Sequence, residues 1–312
     1  MRKLDLVSII VPFLNEENCI EQYCNFINNF SNEKPFLIEV IFVDDGSSDN
    51  TNDVIADYEF AHCQNVKIVQ LSKNHGAHAA IRAGISHAEG DYITYVGADL
   101  QEPDDMVSIM YDNIITGFDA VYVEKKSVTG IGIGRAFSLT YSAMMRKYAV
   151  KNYGAGGINN IMFNSKIKNY LNNNIESNSS LMLQIIDAGF KSVTVKMDYK
   201  ERVAGTSKWT LSRKIKLFID SFVAFSFAPI RLVSIIGVLM FIAGTLLGIG
   251  VIVNRIARPD VPLGYTTIAS LLVLGFGITN ISLGIIAEYL WRTFDAARNR
   301  PTFIVSEVRE IK

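Results

Sequence analysis

The chain has 312 residues, enough for one large domain and a smaller appendage. Its 30 Lys and Arg against 31 Asp and Glu leave a formal charge of −1, which removes the electrostatic case for a nucleic-acid partner. Three cysteines, Cys19, Cys24 and Cys63, sit near the start without CxxC spacing, so free thiols in a reducing cytosol are expected rather than a disulfide scaffold or a zinc site. No apolar h-region followed by a small-residue cleavage site opens the chain, so no signal peptide is expected.

Val7 to Phe13 is a continuous apolar run, the pattern of a central parallel strand. Asn15, Glu16 and Glu17 then cap and charge a helix start. Ile20, Tyr23, Cys24, Ile27 and Phe30 follow at helical spacing. Ile38 to Val43 is a second strand, ending in Asp44-Asp45-Gly46-Ser47-Ser48, a turn before another helix. Val66 to Leu71 is a third, punctuated by Asn74-His75-Gly76 and followed by a helix over 77–88.

Tyr92 to Val96 is a fourth strand, and Pro103 with Asp104 and Asp105 opens the next helix. Between them Asp99 and Gln101 lie just past a strand's carboxyl end, where open α/β sheets bind ligands. Read as extended chain, the two alternate positions share a face. A carboxylate and a carboxamide oxygen are hard ligands suited to Mg²⁺ or Mn²⁺ carrying a diphosphate. An acidic loop that merely caps a helix has the same sequence. Strands alternating with helices at short spacing predict an α/β, doubly wound, mostly parallel sheet.

Beyond Gly117 the pattern is coarser. Ala120 to Val123 and Val193 to Tyr199 read as strands. Phe137 to Ala149 and Ser180 to Ala188 read as helices, the latter ended by Gly189. Tyr153 to Gly157 is a loop that could close over a ligand. Leu211 to Phe227 begins with Arg213, Lys214 and Lys216 and becomes Phe-rich, the pattern of an amphipathic helix at a membrane surface. Leu232–Val253 and Leu263–Ala287 contain no charged residue, and each exceeds the roughly 20 apolar residues a spanning helix needs. Basic residues before the first span and after the second place the large domain and the C-terminus in the cytoplasm. The expected organisation is a domain over 1–208, an amphipathic juxtamembrane helix over 209–229, two transmembrane helices over 230–290 and a cytoplasmic tail over 291–312.

Together these pieces resemble the family 2 glycosyltransferases of the polyprenyl-phosphate type, the dolichol-phosphate mannose synthases and bactoprenol glucosyltransferases. The resemblance rests on Val11 to Glu17, Val43 to Asp49, Asn74-His75-Gly76 with Gly84, Gly90-Asp91, and Asp99-Leu100-Gln101-Glu102-Pro103. It continues through Glu201 to Trp209, the two spans, Glu288-Tyr289-Leu290 and Arg300-Pro301. It implies a GT-A-like fold and inverting transfer of a hexose, glucose from UDP-glucose, to a polyprenyl phosphate at the cytoplasmic face of the inner membrane. By the resemblance Pro12, Asn15, Glu17, Asp44, Asp45, Gly76 and Asp99 bind the nucleotide. Asp99 and Gln101 hold Mg²⁺ or Mn²⁺. Asp99, Arg202 and Lys208 carry catalysis, the two cations closing on the phosphates. The other partners it implies are the membrane, a flippase for the lipid-linked sugar, and further copies of the chain in a homo-oligomer.

Two departures stand out. The family's Asp-Ala-Asp has Gly97 at its first position here. Gly156 to Met162 replaces the acidic residue and Phe-Arg-Leu segment of the next active-site loop, so no general base is assigned. A catalytically degenerate scaffold that binds nucleotide sugar or lipid, or a transferase acting on another lipid, is the alternative.

Overall fold

The apolar runs become strands because each is buried on both faces. In the computed structural model, β1 (Leu6–Phe13) and β2 (Leu37–Asp44) have almost every interior side chain covered. The structure describes residues 4–32, 34–126, 158–175, 180–200, 265–298 and 300–312, with isolated positions between 233 and 253. In chain order, α1 (Ile20–Ser31) lies between these strands, and α2 (Thr51–Ala56), β3 (Asn65–Leu71), α3 (Ala77–His87), β4 (Tyr92–Tyr95), α4 (Met106–Ile114) and β5 (Ala120–Lys125) follow. Then come β6 (Ile158–Asn164), α5 (Ser165–Asn173), α6 (Leu181–Asp187), β7 (Ser192–Met197), α7 (Tyr265–Ala297) and β8 (Val305–Glu310).

The strands form one sheet in the order β7-β5-β6-β4-β1-β2-β3-β8. β4, β1, β2 and β3 are mutually parallel, and β5 pairs parallel with β7. β6 runs antiparallel between β4 and β5, and β8 runs antiparallel on β3. The expected α/β, mostly parallel sheet is present, with two reversed strands. One face packs Tyr23 and Ile27 of α1 and Met106 and Met110 of α4 over Val7, Ile9 and Phe42. On the other face α3 lies so close to the sheet that a Cβ on Gly84 would collide with the side chain of Ile10. At the amino ends of the strands a buried ionic group closes the layer. Lys67 Nζ lies 3.1 Å from Glu39, whose side chain is wholly buried and accepts from Ser8 Oγ and, at 2.8 Å, from the Glu89 amide.

Four expectations change. α4 begins at Met106 after Asp105, because 103–105 form a turn whose Pro103 carbonyl receives the Met106 amide at 3.0 Å. Of residues 156–162, expected in an active-site loop, 158–162 belong to β6 (Ile158–Asn164). The 291–312 tail contains β8 and rejoins the sheet, with Pro301–Lys312 grouped in one compact unit with residues 1–221. The alternation argument for Asp99 and Gln101 fails: β4 stops at Tyr95, and Leu100 adopts a left-handed φ of 53°.

The second unit, Phe222–Arg300, contains α7, whose 33 residues cover most of the second expected span. Its Phe276, Ile281 and Leu290 are exposed. Thr279 and Ser282 return their hydroxyls to carbonyls one turn back, and Asn280 is exposed. Among the described residues no helix is long and apolar enough to cross a membrane. Most of the first expected span, the 211–227 and 137–149 helices and the 153–157 loop lie outside the described residues.

Candidate active site

The loops after β1, β2, β3 and β4 meet at the carboxyl ends of these strands. Asp45 N–H donates to Phe13 O at 3.0 Å and carries the β1–β2 ladder one residue further. Asn15, at φ 53°, donates its amide to Ser47 Oγ at 2.9 Å and accepts from Ser48 N–H on Oδ1 at 2.8 Å. Glu17 Oε1 accepts from Asn50 Nδ2 at 3.1 Å. Asn15 and Glu17 are therefore brought against the Asp44-to-Asn50 turn, with half-buried Pro12 at the end of β1 opposite Val43.

The two aspartates are buried and engaged. Asp44 accepts from Ser47 N–H at 2.7 Å and from Asn52 Nδ2 at 2.6 Å, so its side chain closes the turn after β2 on the backbone three residues on. Asp45 Oδ1 accepts from His75 N–H at 2.7 Å, and its Oδ2 from Gly76 N–H at 2.9 Å. Burial raises the Asp45 carboxyl above its ordinary range, opposed by these amide donors. Asp45 thus fixes the loop after β3 to the turn after β2. A Cβ on Gly46 would come within 2.7 Å of the Lys73 backbone, and with φ at 83° the position requires glycine. Gly76, with φ at 92°, precedes α3 and presents its amide to Asp45. His75 is half-buried and His78 exposed. Gly84 and Gly90-Asp91 serve packing: Asp91 Oδ2 accepts from the Leu6 amide at 2.9 Å at the far end of the sheet.

Asp99 and Gln101 are half-buried on the turn after β4. Glu102 folds back beneath them, and its Oε1 accepts from Gly97 N–H at 3.0 Å. A Cβ at Gly97 would sit 3.0 Å from Asp99 Oδ1 and 3.3 Å from Glu102 Oε1, so two carboxylates flank the family's missing aspartate. Burial pushes the Glu102 carboxyl up, and neighbouring Asp99 adds to the push. Glu102 Oε2 and Tyr23 Oη are buried with no hydrogen-bond partner among the described residues. Among those residues no three His, Cys, Asp or Glu side chains gather as a metal cage. One carboxylate and one carboxamide beside a diphosphate still fit Mg²⁺, which is held by one or two protein carboxylates plus phosphate oxygens.

Asn160 belongs to no motif of the sequence. It lies on β6, 2% exposed, and its Nδ2 donates to Tyr95 O at 2.9 Å while its Oδ1 accepts from Tyr199 Oη at 2.7 Å. Its only sequence signal is an Asn pair opening an apolar run. β6 carries no carboxylate. The chain after β7 also docks here, Lys200 N–H donating to Gln101 O at 2.8 Å. Arg202 and Lys208 lie outside the described residues.

A mixed sheet that gathers acidic loops at the carboxyl ends of its parallel strands is the arrangement of a GT-A-like fold. The chain belongs to glycosyl transferase family 2, whose profile matches residues 8–180, more than half of its length. It is 26% identical over 315 residues to the undecaprenyl-phosphate 4-deoxy-4-formamido-L-arabinose transferase of Proteus mirabilis, covering 99% of this chain and 96% of that one. It is 28% identical over 310 residues to the uncharacterized glycosyltransferase YkcC of Bacillus subtilis, covering 96% and 93%. Among solved structures, mannosyl-3-phosphoglycerate synthase from Rubrobacter xylanophilus is similar with a TM-score of 0.50 at 16% identity, covering 69% of this chain and 71% of that one. That likeness establishes the fold alone.

Proposed function

We propose that the chain transfers a hexose, glucose from UDP-glucose, with inversion onto a polyprenyl phosphate at the cytoplasmic face of the membrane. One observation carries the acceptor. The family profile ends at residue 180, whereas similarity to the undecaprenyl-phosphate transferase of Proteus mirabilis covers 99% of the chain. The similarity therefore includes the apolar region that a soluble-acceptor enzyme does not need. The exposed apolar side chains of α7 support membrane attachment, since large exposed apolar surfaces mark membrane or partner contacts.

In this reading the uridine end lies against Pro12, Asn15, Glu17 and the backbone that Asp44 and Asp45 hold at 45–47 and 75–76. Asp99 and Gln101 would hold Mg²⁺ or Mn²⁺, which when bound neutralises charge on the leaving diphosphate. Arg202 and Lys208 would close on the phosphates, and the described chain supports this by docking Lys200 on Gln101 just before Arg202. The absence of a carboxylate on β6 suits the proposed nucleophile. A lipid monophosphate has a second pKa of about 6 and is mostly dianionic at cytosolic pH, so proton removal is a minor part of the barrier. The larger task is holding two anionic groups in line.

The test is a donor screen with full-length protein, polyprenyl phosphate and a panel of nucleotide sugars, with lipid products identified by mass. A glucosyl lipid from UDP-glucose supports the reading. A formamido-arabinosyl lipid keeps the acceptor and replaces the sugar. No lipid product with any donor, in protein that binds UDP, favours a non-catalytic scaffold.

A further inference from the structure

The turn carrying Asp99 is strained. Leu100 holds a φ of 53°, a region that a branched side chain occupies only where its surroundings over-determine it. Those surroundings are polar and specific. From within the turn, Glu102 Oε1 takes the Gly97 amide at 3.0 Å. From β6, Asn160 Nδ2 reaches Tyr95 O at 2.9 Å and, more weakly, Glu102 Oε1 at 3.5 Å. From the chain after β7, Tyr199 Oη donates to Asn160 Oδ1 at 2.7 Å, and Lys200 N–H to Gln101 O at 2.8 Å. Tyr95 Oη in turn donates to Asn159 O at 3.0 Å, so the end of β4 and the start of β6 are tied twice.

Three chain segments far apart in sequence thus meet on one carboxamide and one carboxyl group, and neither group belongs to the expected metal or nucleotide contacts. We propose that Asn160 and Glu102 are positioning residues: they hold the Leu100 turn in its left-handed geometry so that Asp99 and Gln101 face the diphosphate. The proposal rests on the transferase reading for what the turn faces. The holding itself is a property of the fold and is testable apart from it.

The test uses full-length protein in detergent and the variants Glu102→Ala, Glu102→Gln, Asn160→Leu and Tyr199→Phe. Amide exchange is followed on peptides covering 96–102 and 198–200, with β1 and β2 as the internal reference, and turnover is measured beside uridine affinity. Glu102→Ala and Asn160→Leu should speed exchange at both segments at least tenfold while β1 and β2 stay protected. Their kcat should fall at least tenfold, with uridine affinity held within threefold. Glu102→Gln keeps an acceptor for the Gly97 amide and should restore most of the protection and turnover. Tyr199→Phe removes one hydroxyl without reshaping the core, so it reports on the link even where a larger change unfolds the protein. It should speed exchange at 198–200 alone.

Unchanged exchange at 198–200 in Tyr199→Phe, together with unchanged exchange at both segments in any alanine or leucine variant that folds, overturns the proposal. So does loss of turnover by Glu102→Gln equal to that of Glu102→Ala, which would make the carboxyl group itself the active feature. A wild-type chain inactive with every donor removes the transferase reading and leaves the exchange data to decide whether the turn is held in this way.

Discussion

Leu100 and Asn15, the two non-glycine residues with positive φ among the described residues, both lie on loops of the candidate site. Asn tolerates this region through its short polar side chain, whereas a left-handed Leu costs roughly 1–2 kcal/mol. Strain of that size is tolerable where it aims a functional group. Asp99→Asn should lower turnover by about 10²-fold or more, since a group acting on charge developed in the transition state typically contributes that much. Uridine affinity should change little. Measuring kcat and uridine binding side by side, with excess chelator as a companion, checks this. Equal loss in both would place Asp99 with the nucleotide contacts. Gly97→Asp brings a third carboxyl group to a place flanked by Asp99 and Glu102. It should lower the melting temperature without raising Mn²⁺ affinity, as read from melting curves with and without the ion.

Asp45 gives a pH signature. Its folded carboxyl titrates above the ordinary value of 3.8 because burial disfavours the charged form. The folded state therefore binds more protons than the unfolded state in the window just above 3.8, and stability attributable to this group falls as pH rises through it. The advantage of wild type over Asp45→Asn should be greatest below that window and smaller at neutral pH. Chemical denaturation of both proteins across the acid range measures the difference, and a constant gap would show that Asp45 titrates normally.

At the scale of elements, the sheet is fastened at both ends of its parallel strands. The carboxyl ends are joined by the Asp44 and Asp45 turns, and the amino ends by Glu39, Lys67 and Ser8. Glu39 is fully buried, so removing its cation leaves a buried carboxylate with only the Ser8 hydroxyl and the Glu89 amide to offset its charge. Lys67→Met should cost about 3–5 kcal/mol, and Glu39→Gln added to it should recover part of that loss by removing the stranded charge. Urea unfolding of the single and double variants gives the comparison. A loss below about 1 kcal/mol in the single variant would mean that Ser8 and the Glu89 amide suffice for Glu39. These positions lie far along the strands from Asp99, so their effect should appear in stability and not in the ratio of kcat to uridine affinity.

For the whole molecule, the return of the C-terminus is the decisive feature. β8 covers the β3 edge, with Val308 opposite Val69 and Arg309 opposite Ile68, and the Ile311 amide donates to Val66 O at 2.8 Å. A truncation near Lys208, the natural way to separate a domain from a membrane anchor, would also strip this strand and leave β3 as an open edge prone to pairing with other chains. Deleting 303–312 should therefore lower the melting temperature and promote aggregation even though every assigned site residue is retained. A chain joining 208 to 301 through a long Gly/Ser linker keeps β8 and should leave the membrane fraction after high-salt washing. If that linked chain still sediments with membranes, the apolar region is not its main attachment.

What the sequence determined alone is the part encoded locally. Largely apolar runs mark β1 to β4 because a strand covered on both faces needs apolar side chains at nearly every position, polar exceptions such as Ser8, Glu39 and Lys67 being partnered with one another. Gly189 ended its helix as expected, at φ 72°. The acidic turns announced the carboxyl ends of the parallel strands, where the candidate site lies, because strand-end loops carry polar groups that the core excludes. The tertiary structure decided what depends on distant partners. β6 is a strand because β4 and β5 offer it two ladders, and β8 because β3 offers an edge; neither carries a pattern that distinguishes it from a loop. The left-handed Leu100 turn replaced the extended chain expected between Asp99 and Gln101. Asn160, an unremarkable amide in the sequence, became a junction because folding brought Tyr95, Glu102 and Tyr199 within hydrogen-bonding distance of it. Hydrophobic pattern is a one-dimensional record of burial, whereas a hydrogen bond is made only where two distant groups arrive at the same place.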